Sequence, residues 1–193
     1  MKRSHTDEPD SFLKDVAEVP PDERPLVGLT DALPPAAPSA SLRNRVLAAA
    51  IPAERLAHYL NQITAMLDIE PDDARALLAR IDDPSAWFEL LPGISLLPAG
   101  GGPRVHGALR GFVRVRAGVE FPQHEHLGDE AVMIMQGFYA DGVTGEVFGP
   151  GDTPVHPIDS QHSFKVLSDG PDLLGLVVAQ GGLRAQGQEF LPW

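Results

Sequence analysis

Twenty residues constrain this chain more than any others: Gly118-Val-Glu-Phe-Pro-Gln-His-Glu-His-Leu-Gly-Asp-Glu-Ala-Val-Met-Ile-Met-Gln-Gly. His124, His126 and Glu130 fall within seven of them. In an extended strand alternate side chains share a face, so His124 and His126 point the same way. Leu127-Gly128-Asp129 reads as a turn, and Glu130 opens the apolar run Ala131 to Met135, which reads as a well-buried strand. A hairpin of this kind aims two imidazoles and a carboxylate at one point, where a divalent transition metal would suit them. The plainer reading is three polar groups on an exposed turn.

A fourth donor is expected from the run Gly151-Asp-Thr-Pro-Val-His-Pro-Ile-Asp-Ser-Gln-His, where a Gly-Asp turn and a proline precede His162. These two stretches resemble the motifs of the cupins. The first cupin motif is a glycine, five residues, His-x-His, three or four residues, Glu, six residues and a glycine. Gly118, His124, His126, Glu130 and Gly137 meet every position. The second is a glycine, five residues, Pro-x-Gly, two residues, His, three residues and Asn. Gly151, Pro157 and His162 match it, while Asp159 replaces the glycine and Val166 the asparagine. The resemblance spans residues 94–178. It implies a mainly β chain, a cupin-type double-stranded β-helix or jelly-roll barrel, with His124, His126, Glu130 and His162 binding one metal inside it.

The remainder of the chain suggests an appendage. Residues 1–40 are acidic and proline-rich, with four Lys/Arg against eight Asp/Glu, which suits a flexible arm or a segment that docks elsewhere. Residues 41–84 read as about three helices. Ser41 is a good N-cap for the first, and Pro52 suits the first turn of the second. Leu56, Leu60, Ile63 and Leu67 form a clear helical stripe, and Pro71-Asp72-Asp73 opens a third helix with Ala74, Leu77, Leu78 and Ile81 on its apolar face. Such helices need cover from one another or from the barrel.

Residues 85–193 change rhythm to short runs broken by Gly and Pro, the pattern of a sandwich or barrel. Candidate strands start at Ile94, Gly111, Ala131, His162 and Leu173, and Leu183 to Leu191 reads as a return along an edge. Alternation sets the expected lining. If Glu130 faces inward, so do Val132, Ile134 and Gln136; if His162 does, so do Phe164 and Val166. Val132, Ile134, Phe164 and Val166 would then wall an apolar pocket over the metal. Met133 and Met135 would face a helix or a second subunit, or simply fill core. His156, six residues before His162, reads as a surface histidine or, if the strand parity carries through, as a pocket residue or outer partner of the metal ligands. Arg114 and Arg116 read as a solvated face, and His5, His58 and His106 as incidental.

Composition limits what the chain can do. A net charge of −12 disfavours nucleic acid and anionic membranes as partners. No apolar run is long enough to span a bilayer, and the charged N-terminus lacks a signal-peptide core, so a cytoplasmic protein is expected. The absence of cysteine removes disulfides and thiolate zinc sites. The order of a Pro-rich stretch, Leu42 to Ala50, helices and cupin motifs resembles ChrR-type anti-sigma factors. In that family a helical zinc domain grips a sigma factor and a cupin-like domain senses stress. The family's Cys-based N-terminal zinc site has no counterpart here.

The resemblance therefore implies a regulatory or sensor module, a homodimer by pairing of cupin sheets, and a sigma factor or other regulatory protein as partner, with a small-molecule ligand also in prospect. Zinc is the expected metal, with iron, nickel or manganese as alternatives. The competing reading is a metal-dependent cupin dioxygenase acting on a small organic substrate, and the dullest is a purely structural metal.

Overall fold

The computed structural model describes residues 55–192. The proline-rich arm, the helix expected from Ser41 and the helix start expected at Pro52 lie outside the described residues.

Two helices begin the described chain. A 3-10 turn at Ala57–Tyr59 leads into α1 (Leu60–Leu67), and α2 (Pro71–Arg80) follows. The apolar stripe is realised in α1, where Ile63, Met66 and Leu67 are buried, and Leu56 joins them from the preceding turn. Helix α1 stops at Asp68, whose left-handed backbone (φ 55°) ends the spiral while its amide still reaches the carbonyl of Thr64. Helix α2 starts on Pro71, whose fixed φ suits a first turn, and carries Asp72 and Asp73 where the helix dipole favours acids.

Twelve strands follow: β1 (Phe88–Leu91), β2 (Ile94–Pro98), β3 (Ala108–Val115), β4 (Glu120–His126), β5 (Glu130–Gln136), β6 (Tyr139–Asp141), β7 (Val147–Phe148), β8 (Val155–His156), β9 (Gln161–Val166), β10 (Leu173–Gln180), β11 (Leu183–Ala185) and β12 (Gln188–Phe190). They form two six-stranded sheets, ordered β1-β2-β3-β10-β5-β8 and β12-β11-β4-β9-β6-β7, in which every pairing is antiparallel. The fold is a mainly β jelly-roll with an N-terminal helical appendage. The expected edge return is present as the β11–β12 hairpin.

The first sheet is apolar on both faces. Along β10, Leu174, Leu176 and Val178 pack with the helices, whereas Leu173, Val177 and Ala179 belong to clusters on the barrel side. Strand β5 alternates in the same way. Met133 and Met135 join Ile63, Leu67 and Leu78 in the helical layer, while Val132 and Ile134 pack on the barrel side. The apolar helix stripes are thus covered by their own barrel, and the methionines fill that contact.

Two side chains depart from the sequence reading. Gln136 does not continue the inward parity of Glu130, because the β5–β10 register shifts beside it. Its amide accepts from Arg55 and donates to the carbonyl of Asp172. Arg114 is not merely solvated. Its guanidinium lies 4.2 Å over the Trp87 ring and donates to the Ile81 carbonyl at 2.9 Å, which also accepts from Trp87 Nε1 at 2.9 Å. The two side chains thus share the carbonyl of Ile81, the residue that caps the C-terminal end of α2, where carbonyls lack helical partners.

If the helices dock as described, Ile63→Ala should cost about 2–5 kcal/mol, because a fully buried aliphatic side chain leaves a cavity when truncated. Urea denaturation checks this, and an unchanged midpoint would mean that the helical layer contributes nothing to folding.

Candidate metal centre

The turn Leu127–Asp129 does not close the expected hairpin: β4 and β5 do not pair but lie in opposite sheets, because β4 pairs with β9 and β5 with β10, and their ligand-type side chains meet across the barrel. His124 is the direct register partner of His162 across β4 and β9. Glu130 arrives from β5 in the facing sheet. Ligand atoms of His124, His126, Glu130 and His162 all lie within 4.8 Å of one another, and all four residues are buried. This buried group of three imidazoles and one carboxylate could hold a metal ion.

The hydrogen bonds around the rings set their tautomers. His124 Nδ1 faces the Pro122 carbonyl at 3.0 Å, His126 Nδ1 the Ser160 carbonyl at 3.1 Å, and His162 Nδ1 the Asp141 carboxylate at 2.7 Å. Each contact is to an acceptor, so each Nδ1 carries the proton and donates it. Each Nε2 then keeps a lone pair for the centre of the site. His162 Nε2 is buried and has no hydrogen-bond partner. His126 Nε2 and Glu130 Oε2 face each other at 3.1 Å. Two lone pairs cannot share that space without a cation, either a proton on His126 or a metal ion. The donor set therefore fits a divalent transition metal.

Electrostatics agree with this picture. Burial alone would lower His126, but the hydrogen bond and charge of Glu130 lift it above its ordinary value. Burial alone would raise Glu130, but His126 and the other imidazoles bring it down. His124 is lowered to about 4, chiefly by burial. Asp141 stays far below the ordinary carboxylate range. Burial opposes this, but donation from Thr144, His162 and Val143 outweighs it. Oδ1 of Asp141 accepts the amides of Val143 and Thr144, which leaves Oδ2 for His162.

An apolar cavity of about 150 Å³ opens on this group. His124, Glu130 and His162 border it, with Val132, Ile134 and Phe164 among its walls. Val166, expected in the same wall, instead packs fully buried among Ile134, Phe121 and Tyr139. His156 also borders the cavity. It pairs in register with Glu130 and stacks on His126 with centroids 5.0 Å apart and planes 6° apart. Its imidazole is lowered to about 4, first by burial. His58 and His106 lie exposed and away from the group.

The substituted motif position Asp159 keeps the turn that glycine would favour. Its φ is +64°, a left-handed conformation that aspartate tolerates better than most residues, and its amide donates to the His126 carbonyl at 2.9 Å. Sequence reasoning missed Asp141 and Ser160. The meeting of Asp141 with His162 depends on the pairing of β6 with β9, which are distant along the chain.

No family model matches the chain, and no curated protein matches it. Among solved structures it is similar to Rhodobacter sphaeroides SigE in complex with the anti-sigma ChrR. That match has 22% identity and a TM-score of 0.48, covering 79% of this chain and 73% of that chain. It is similar to a Ralstonia eutropha protein of unknown function with a cupin-like fold, at 18% identity and a TM-score of 0.46 over 55% of this chain and 75% of that one. An acetylacetone dioxygenase from Acinetobacter johnsonii matches at 13% identity and a TM-score of 0.45, over 57% and 80%. These likenesses concern the fold.

Two outcomes follow from the geometry. Asp141→Asn should weaken metal affinity about tenfold to a hundredfold, the usual cost of losing a carboxylate that orients a ligating histidine. Competition with a chromophoric chelator measures it, and unchanged affinity would remove Asp141 from the site. In the metal-free chain, unfolded imidazoles protonate near 6.5 while His124 and His156 hold off until about 4. The unfolded state then binds more protons, so their contribution to stability is lost as pH falls from about 6.5 to about 4. His126 acts oppositely: its contribution is whole below 6.5 and is lost as pH rises through its elevated folded value. Urea midpoints of metal-free protein should therefore drop across the acid window. A flat profile there would contradict the buried neutral imidazoles.

Proposed function

We propose that this chain is a metal-binding regulatory module. His124, His126, Glu130 and His162 hold one divalent transition metal at the floor of a ligand cavity, and the first sheet relays the state of that floor to the helices. One observation carries the reading. Strand β5 presents Glu130, Val132 and Ile134 to the cavity and Met133 and Met135 to the helical layer. A change in how Glu130 is held therefore acts on the strand that supports α1 and α2. The resemblance to ChrR-type anti-sigma factors supports a sigma factor or other regulatory protein as the partner. No helix among the described residues is long and apolar enough to cross a membrane; a cytoplasmic location belongs to the proposal.

Zinc is the proposed metal, since three neutral imidazoles and a carboxylate complete a tetrahedron of the donors zinc prefers. Iron, nickel or manganese would use further positions. A bound metal would supply a Lewis-acidic centre at the cavity floor. Around it the chain's own residues orient three lone pairs, keep Glu130 ionised and exclude water with apolar walls.

A dioxygenase is the second reading, and the cavity beside the ligand group is what favours it: a purely structural ion needs no such space. Metal analysis and oxygen uptake decide between them. The regulatory reading expects stoichiometric zinc, no substrate-dependent oxygen uptake, and faster amide exchange in α1 and α2 once the metal is removed. Stoichiometric iron with oxygen consumption abolished by Glu130→Ala would replace it with the enzyme.

Metal binding should also stabilise the fold. A ligand specific to the folded state contributes about 4 kcal/mol at a thousandfold excess over its Kd. Chelation, or His126→Ala, should lower the melting temperature markedly, and His58→Ala should leave it unchanged. Identical melts with and without chelator would sink the four-residue site.

The homodimer implied by the resemblance is also proposed. One sheet ends in the short edge strand β8 and the other in β7, near which Phe138, Val147, Val155 and Ile158 are exposed. Unpaired edges with apolar side chains favour pairing with another chain. Sedimentation at micromolar concentration should give twice the 20.7 kDa chain mass; a monomer would count against the dimer.

A further inference from the structure

Four imidazoles meet at the cavity floor, but only three belong to the group that could hold the metal. The fourth, His156, enters from the opposite sheet on β8. Its ring is fixed from two sides, by parallel stacking on His126 and by a tilted contact with His162 at 4.1 Å between centroids. Neither of its nitrogens makes a hydrogen bond among the described residues, whereas the other three rings each have Nδ1 paired. A neutral imidazole offers one N–H and one lone pair, and on this half-buried ring both are free to meet a molecule that enters the cavity. The walls around it are Leu, Val, Ile and Phe side chains, with Tyr139 as the other polar residue outside the metal-binding group.

The cavity volume of about 150 Å³ is close to that of an apolar cavity known to accept a benzene ring. Its mouth is apolar as well, with Phe88 and Leu191 partly exposed at the rim. A lining this apolar does not suit a sugar, a nucleotide or a peptide, whose polar groups would go unpaired. It accepts a compact apolar body, and it places one hydrogen-bonding ring where a single oxygen atom would reach.

We propose that His156 is the residue that selects the cavity's ligand, a compact, mainly apolar molecule bearing one hydroxyl or carbonyl oxygen that hydrogen-bonds to this ring. The proposal rests on the metal-binding reading above, because the bound ion defines the cavity floor. His156 is assigned to the ligand and not to the ion: its ring lies beside the ligand group, stacked on His126, rather than within it.

The test uses the full chain loaded with zinc, its metal content measured first. Phenol and toluene serve as probes of equal shape that differ in one hydroxyl. Calorimetric titration should show phenol binding about tenfold more tightly than toluene, the scale of one added hydrogen bond. His156→Leu should abolish that preference while keeping one zinc per chain, and His156→Gln, which retains a polar group, should keep part of it. Tyr139→Phe should leave the preference in place. Equal binding of both probes to the unaltered protein overturns the assignment. So does a preference that survives His156→Leu or vanishes only in Tyr139→Phe. Binding of neither probe to a stoichiometrically zinc-loaded chain overturns it while leaving the metal reading intact. Loss of zinc from both His156 variants would make His156 a support of the ion and overturn its role in selection. Failure of the unaltered chain to take up zinc would remove the metal reading and this assignment with it.

Discussion

Three imidazole lone pairs and one carboxylate converge on a point that no single strand can supply. Strands β4 and β9 provide the histidines from one sheet, and β5 provides Glu130 from the other. The two sheets must therefore face each other at a fixed spacing for the group to exist. The apolar contacts of Ile134, Val115 and Leu173 with Phe121, Tyr139 and Val166 hold that spacing. Burying Glu130 among them is costly unless a cation faces it, because an isolated buried carboxylate loses its hydration. The proton on His126 or a metal ion meets that need, which ties the integrity of the barrel to the occupancy of its floor.

The outer partners matter as much as the donors. Pro122, Ser160 and Asp141 each take a proton-bearing Nδ1, so all three rings present the same nitrogen inward. Asp141 is itself held by the turn that follows it, through the amides of Val143 and Thr144. A tight turn at one edge of the barrel thus sets the orientation of a ring at its centre.

Beyond the site, the first sheet serves two layers at once. Its inner face closes the cavity and its outer face receives the helices, with Trp87 and Arg114 holding the end of α2 against it. An antiparallel sheet covered on both faces reads in sequence as continuous apolar runs, which is how β5 and β10 appear. That arrangement gives the regulatory reading its physical content, since a shift in one face of a close-packed strand is felt on the other.

Much of this was legible in the sequence because it depends on local spacing. The His-x-His pair and the Glu four residues on follow from strand parity and a short turn, and the helix stripe of Ile63 and Leu67 follows from a period of 3.6. The left-handed turns at Gly137 and at Asp159, which stands where the second motif has its glycine, are local too. What the sequence could not reveal depends on partners distant along the chain. The register shift beside Ile134 turned Gln136 toward Arg55 against its parity. The pairing of β6 with β9 brought Asp141 to His162, and the pairing of β8 with β5 placed His156 over the cavity. By itself the sequence determined which donors exist and in what local order. Only the tertiary structure decided how Asp141 and His156 reach the group and which side of the sheet carries the helices, because those outcomes are set by strand pairing across the barrel.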